Sequence, residues 1–313
     1  MRSNRVVVVG SYNVDMTITT DVFPQAGETV IGNNLTFGHG GKGANQAVAA
    51  ARSGAQTTLL AKVGMDQNGE QAINAMALEG INTEHIQKTD GIPTGMASIT
   101  VNAQGENSIV VASGANWQLS AMEVEKEFGN ITTADILLTQ LETSLESVAS
   151  AIRVARQRGI TVILNPAPSQ TLPADLLSDV DIITPNRIEA EMLTGVHITD
   201  DRSLLKAAEV LHSYGINLVL ITLGTDGVFV SQPGDSKLIP AIKVAAVDTV
   251  GAGDVFNGVL AAHYSDIETI DAVVSLAIVA AGLSVTRTGA QTAIPDQEMI
   301  EAYQEQHSAS VPG

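Results

Sequence analysis

The chain has 313 residues, 44% of them hydrophobic, enough to bury a sizeable core as one large α/β domain or two small ones. A formal net charge of −18 argues against a phosphate-backbone partner such as nucleic acid, and no apolar run approaches the length of a membrane span. The absence of cysteine removes disulfide scaffolds, thiolate metal sites and cysteine nucleophiles, and the six histidines lack zinc-ligand spacing.

The start, Met1–Arg5, leads into only four valines before Gly10, too short for a secretory signal, so a cytoplasmic protein is expected. Val6–Val9 predicts the first buried strand, with Asn13 and Asp15 after it. Ionised Asp only accepts hydrogen bonds whereas an Asn amide donates and accepts, so this pair can grip neighbouring hydroxyls that offer both functions. A helix is predicted over Ala44–Ser53, a strand over Thr57–Val63 and a helix over Gln67–Glu79. Further on come strand Ile136–Leu138 followed by Glu142, helix Leu145–Arg158, strand Thr161–Leu164, and strand Asp181–Thr184 followed by Asn186 and Glu189. Helices Arg187–Leu193 and Ser203–Ser213 precede strand Leu218–Leu223, which runs into Thr222-Leu223-Gly224-Thr225-Asp226-Gly227. Helices Asp254–Tyr264 and Ile270–Thr286 close the series, and the tail 307–313 is expected to fray.

This alternation predicts one α/β domain over 1–313, a mostly parallel central sheet with helices on both faces. Two stretches, 14–37 and 95–112, break the pattern and predict a small antiparallel sheet, with a hairpin turn at Asn102–Gly105. Such a sheet is either a lid over the strand ends or an ordinary edge extension. The polar groups that follow the parallel strands face one crevice, where α/β proteins bind ligands.

Two glycine-rich turns open helices. Gly38, Gly40 and Gly43 match G-x-G-x-x-G, but the next strand ends in Lys62-Val63 rather than the acid that a dinucleotide site needs. A Walker A loop fails too, because Lys42 is followed by Gly43 rather than Ser or Thr. What remains is backbone open to close approach, with Lys42 and Asn45 as donors, or simply a strand-to-helix turn. The second turn, Asp248-Thr249-Val250-Gly251-Ala252-Gly253-Asp254, converges N–H groups at a helix N-terminus, where the dipole favours a phosphate. Asp254 there is either a general base or a helix-capping carboxylate.

These two turns, Gly40–Ala47 and Asp248–Asp254, together with Asn186–Glu189 and Thr222–Gly227 in that order, resemble the ribokinase, or phosphofructokinase-B, family of carbohydrate kinases over nearly the whole chain. The resemblance implies phosphorylation of ribose by Mg²⁺-ATP at the 5-hydroxyl, and a homodimer formed through the β lid. Asp254 is then the base and Gly251, Ala252 and Gly253 the anion hole. Asn13, Asp15, Gly41, Lys42, Gly43, Asn45 and Glu142, with Asp254 itself, match sugar-contacting positions. Asn186 and Thr222, Leu223, Gly224, Thr225, Asp226 and Gly227, with Gly253, match nucleotide positions, and Glu189 matches the residue that organises Mg²⁺ and phosphate. An activating K⁺ is implied at Asp248, Val250, Ser284, Arg287 and Gly289. Ala293, where the family commonly has Ser, removes one side-chain ligand, and Ile278 replaces a polar residue near the base of the nucleotide. Adenosine, fructose or deoxyribose as acceptor, a nicotinamide-dependent oxidoreductase and a non-catalytic binding protein remain open alternatives.

Overall fold

A computed structural model describes residues 3–308. The chain opens with strand β1 (Arg5–Val9), then leaves the main sheet for β2 (Asn13–Thr19) and β3 (Asn34–Gly40) before helix α1 (Lys42–Arg52). Strand β4 (Gln56–Gly64), helix α2 (Gln67–Leu78) and strand β5 (Ile86–Thr89) return to the main sheet, and β6 (Gly95–Val101) and β7 (Asn107–Ala112) leave it again. Helix α3 (Ala121–Asn130), β8 (Ile136–Thr139), α4 (Leu145–Gln157), β9 (Thr161–Leu164), the single turn α5 (Ala174–Leu177) and β10 (Ile182–Ile183) follow. The remainder is α6 (Arg187–Thr194), α7 (Asp201–His212), β11 (Leu218–Thr222), the hairpin β12 (Val228–Gln232) and β13 (Asp235–Ile239), and helices α8 (Ala252–His263), α9 (Ile270–Ser284) and α10 (Gln297–Ser308).

The main sheet has nine strands in the order β13-β12-β11-β10-β9-β8-β1-β4-β5. It is parallel from β11 across β1 to β5, and only the β11–β12 and β12–β13 pairs are antiparallel. The run of four valines in β1 is explained by cover on both faces: Val6 and Val8 enter a core shared with α1, α8 and α9, and Val7 and Val9 enter another shared with α3, α4 and α7. The second sheet, in the order β3-β2-β6-β7, is formed by the two stretches that break the sequence alternation. Its β3–β2 and β6–β7 pairs are antiparallel, while the central β2–β6 pair runs parallel. The turn at Asn102–Gly105 closes as expected, with Asn102 Oδ1 accepting the N–H groups of Gln104 and Glu106.

Helices α3, α5 and α10, strand β5 and the hairpin β12–β13 are not among the elements predicted. Helix α3 buries few apolar anchors, chiefly Val124 and Phe128, and hairpin β12–β13 follows without a break from the glycine-rich turn after β11. Helix α10 corrects the expectation of a frayed tail at its first residue, since His307 is helical and its ring stacks on Tyr303 at 3.9 Å. The rest of that tail, 309–313, lies outside the described residues. Among the described residues no helix is long and apolar enough to cross a membrane.

Candidate active site

The end of β1 anchors the first glycine-rich turn. Ser11 donates its hydroxyl to Glu142 Oε2 at 2.5 Å, and the same oxygen accepts the N–H of Lys42, the first residue of α1, at 3.0 Å. A carboxylate at a helix start satisfies an orphan donor and the positive end of the dipole together. A Cβ on Gly43 would lie 2.5 Å from the Ser11 nitrogen, so only glycine lets α1 begin against β1.

Helix α1 then meets α8 at Gly258, where a Cβ would lie 2.6 Å from the carbonyl oxygen of Gln46. That close approach brings Asn45 Nδ2 to Asp254 Oδ2 at 3.0 Å and Gln46 Nε2 to Asp254 Oδ1 at 2.9 Å. Asp254 is buried in the first turn of α8, yet its carboxylate turns across to α1 instead of capping its own helix. Gly251 takes the N-cap position with φ 79°, and a Cβ on Gly253 would meet nothing within 4 Å. The first turn of α8 therefore faces open space. Asn45 Oδ1, buried and without a hydrogen-bond partner among the described residues, is an acceptor available for a bound hydroxyl.

Five ionisable groups from separate segments share this space: Asp15 on β2, Lys42 on α1, Glu142 beyond β8, Glu189 on α6 and Asp254 on α8. Burial, reinforced by the negative charges of Glu142 and Asp254, pushes the Asp15 carboxyl up to about 6. The charge of Asp254 holds the Lys42 ammonium above its ordinary value against the effect of burial, with Glu142 and Glu189 adding to it. Burial raises Glu189, opposed by the Asn186 N–H and by Lys42. Asn13, on the same face of β2 as Asp15, is buried beside Asn116, which donates to its Oδ1 at 2.8 Å.

A second group lies at the ends of β10 and β11. Asn186 and Glu189 form a reciprocal cap at the start of α6, at 2.8 and 2.9 Å, and Asn186 pairs with Thr222 across the strand ends. Thr225 and Asp226 are exposed on a tight turn, Leu223 N–H donates to the Gly227 carbonyl, and Arg187 stands 3.6 Å from Asp226. Gly227 is demanded by the fold as well, since its φ is 108° and a Cβ would collide with the Ile239 carbonyl. Glu189 links the two groups through its interactions with Lys42 and Asp254.

A third group joins the start of the second glycine-rich turn to the loop after α9. Asp248 accepts the N–H groups of Val250 at 3.0 Å and Gly289 at 2.9 Å, so its carboxylate is committed to the backbone. Ser284 is buried with its hydroxyl on the Ala281 carbonyl, whereas Arg287 points to the exposed side of the loop. Ala293 is buried.

Sequence reasoning missed the polar groups behind these contacts. Gln46 lies inside the first motif but was not read as a site residue, and Ser11, Asn116, Gln140 and Asn165 stand as lone polar residues without a spacing signal. Each is buried and hydrogen-bonded to a site residue or to Gln46.

The profile of the pfkB family carbohydrate kinases matches residues 3–297. The chain is 48% identical over 295 residues to a ribokinase of Haemophilus influenzae, covering 94% of this chain and 96% of that one. It is 36% identical over 299 residues to a deoxyribokinase of Salmonella typhi, covering 95% and 98% of the two chains. The structure of Arabidopsis thaliana ribokinase complexed with ribose and ATP matches with a TM-score of 0.84 at 28% identity, covering 96% of this chain and 98% of that one. On sequence and on fold alike, this chain belongs to the pfkB family of carbohydrate kinases.

Proposed function

We propose that the protein transfers the γ-phosphoryl group of ATP to the 5-hydroxyl of D-ribose, giving ribose 5-phosphate and ADP. The observation that carries this reading is the Asp254 carboxylate, buried and oriented by two amides beside the open first turn of α8. The 48% identity to a ribokinase, and the ribose and ATP held by the Arabidopsis structure, favour this acceptor and this donor.

In the reaction Asp254 takes the proton of the primary hydroxyl while that oxygen bonds to the γ-phosphorus. The bond from phosphorus to the β,γ-bridging oxygen breaks, and its electron pair leaves with ADP. Phosphoryl transfer needs positioning and charge neutralisation above all. The N–H groups of Gly251–Gly253 at the dipole's positive end, with Lys42, supply part of it. Asn13, Asp15, Gly41, Gly43, Asn45 and Glu142 hold the sugar in this reading. Asn186 and Thr222–Gly227 flank the nucleotide.

Four carboxyls and one ammonium surround the site, so a triphosphate needs cations of its own to enter. Mg²⁺ fits that need, since it binds through one or two carboxylates plus substrate phosphates, and Glu189 is the carboxylate between the two groups of residues. When bound, it neutralises phosphate charge. K⁺ fits the 248–289 loop pair through backbone oxygens, because the Asp248 carboxylate is already occupied by N–H groups. The second sheet is read as a lid that also pairs two copies of the chain, supported by exposed Leu35 and Phe37 on β3 and exposed Ile109 and Val111 on β7. A cytoplasmic location completes the reading.

The test is ADP release across a panel of sugars and nucleosides, with Asp254→Asn alongside the unaltered protein. Ribose should be preferred and the variant should keep its fold with kcat lowered by about two to four orders of magnitude. Unchanged turnover in Asp254→Asn would remove it as the base, and ADP release independent of any sugar would leave only a nucleotide-binding or hydrolytic role.

A further inference from the structure

Behind Asp254 lies a chain of buried amides whose hydrogen-bond polarity is fixed from one end. The Thr184 carbonyl, which can only accept, takes Asn165 Nδ2 at 3.1 Å. Asn165 must then present Oδ1 to its other side, where Gln46 Nε2 donates at 3.1 Å. The same Gln46 Nε2 spends its second hydrogen on Asp254 Oδ1 at 2.9 Å, and Gln46 Oε1 accepts Gln140 Nε2 at 2.6 Å. Gln46 and Gln140 are fully buried and Asn165 nearly so. Turning the Gln46 amide over would set its oxygen against both the Asp254 carboxylate and Asn165 Oδ1, and its amino group against that of Gln140. The Asp254 carboxylate and Asn165 Oδ1 both oppose that flip.

The geometry points to Gln46 as a positioning residue for the proposed reaction: it fixes the Asp254 carboxylate and makes Oδ2 the oxygen that receives the sugar proton. This rests on Asp254 being the base. Oδ1 faces a donor that cannot become an acceptor, so a proton on that oxygen would meet the Gln46 N–H. Among the described residues Oδ2 accepts only from Asn45, whose own Oδ1 is buried and has no partner there, and this is the side on which a hydroxyl can be gripped by both residues. Gln46 has no atom exposed to a ligand, and both of its side-chain polar atoms are engaged within the protein. It acts on the base and not on the sugar. A parallel chain steadies the helix turn itself: Thr184 Oγ1 donates to Asn257 Oδ1 at 2.6 Å, and Asn257 Nδ2 donates to the Gly253 carbonyl at 2.8 Å.

The charged groups around Asp254 are Lys42 from α1, Glu189 from α6 and Asp15 from β2, with Glu142 next to Lys42 and Asp15. Among the described residues none of them is hydrogen-bonded to the Gln46 side chain, so a change at Gln46 reports on Asp254 with its other neighbours kept. The experiment measures kcat against pH with ribose and ATP saturating, for the unaltered protein, Gln46→Met, Gln46→Glu and Asp254→Asn. Loss of one hydrogen bond to the carboxylate should move the acid limb of kcat up by about one to two pH units in Gln46→Met. Gln46→Glu, which opposes a second carboxylate to the first, should move it further. KM for ribose should stay within about twofold. The shift should persist in an Asp15→Asn background, which assigns the limb to Asp254. An unmoved limb in folded Gln46→Met or Gln46→Glu, with Asp254→Asn inactive, overturns the role of Gln46 and spares the base. Full turnover in Asp254→Asn overturns both.

Discussion

Replacing Asn13 by Met should erase most of the preference for ribose over 2-deoxyribose, and the hydrogen bonds around Asn116 show why. Asn116 Oδ1 accepts the Tyr12 N–H at 2.9 Å and its Nδ2 donates to the Tyr12 carbonyl at 2.9 Å, which sets the amide's orientation from the backbone. The same Nδ2 donates to Asn13 Oδ1, so Asn13 must turn its amino group the other way, where no acceptor faces it among the described residues. Asp15, two residues on along β2, adds acceptor oxygens on the same face. The pair thus offers one donor and one acceptor to adjacent hydroxyls. A sugar lacking one of them leaves a buried amide unpaired, at about 1–3 kcal/mol. At about 1.4 kcal/mol per decade, that is roughly ten- to a hundredfold in kcat/KM. Met at position 13 keeps both Asn116–Tyr12 bonds, so the fold should lose only about 1 kcal/mol. The assay compares kcat/KM for both sugars in the two proteins, with a thermal melt as control. An unchanged ratio in the variant would remove Asn13 from specificity, and equal rates on the two sugars in the unaltered protein would refute the ribose assignment. The deoxyribokinase at 36% identity makes this the comparison that matters most.

Three further outcomes are expected. Asp15 titrates near 6 in the fold against 3.8 ordinarily, so its ionisation costs stability that is intact below about pH 4 and lost as pH rises through about 6. Asp15→Asn should therefore stabilise the ligand-free protein by about 1–2 kcal/mol at pH 7.5, after allowance for solvent screening, and by nothing at pH 4; equal gains at both values in denaturant melts would contradict this. Gly253→Ala should leave stability unchanged or raise it by up to about 1 kcal/mol, because a Cβ there meets nothing, while kcat/KM for ATP falls about tenfold or more. Unimpaired ATP use would show that the turn cradles no phosphate. Turnover should be faster in K⁺ than in Na⁺ at fixed ionic strength, and equal rates would count against a cation at the 248–289 loops.

The all-valine run of β1, the apolar runs of β4, β8, β9 and β11, and the glycine turns before α1 and α8 were legible because each is a local pattern. The part of a strand covered on both faces is mostly apolar, and glycine at 43 lets α1 start against β1. Asp254 was legible as a carboxylate in a glycine-rich helix start, where capping alone explains the flanking Asp248, Gly251 and Gly253 less well than a base beside an anion hole. Only the packing of α1 on α8 at Gly258 turned the carboxylate toward Asn45 and Gln46. The parallel β2–β6 pair inside the second sheet was equally beyond local reading, since the two strands lie about 80 residues apart in the sequence and nothing in either specifies its neighbour. Gln140, Asn165 and Thr184 carry no periodicity or spacing that marks them. Their significance comes from burial beside one another, where a backbone carbonyl that can only accept dictates the direction of every hydrogen bond up to Asp254. Sequence by itself determined most of the strands and helices and the glycine-rich turns, because backbone geometry and hydrophobic cover act over a few residues. Tertiary structure decided which amide each oxygen of Asp254 faces, because hydrogen-bond polarity passes only through side chains that the folded chain brings into contact.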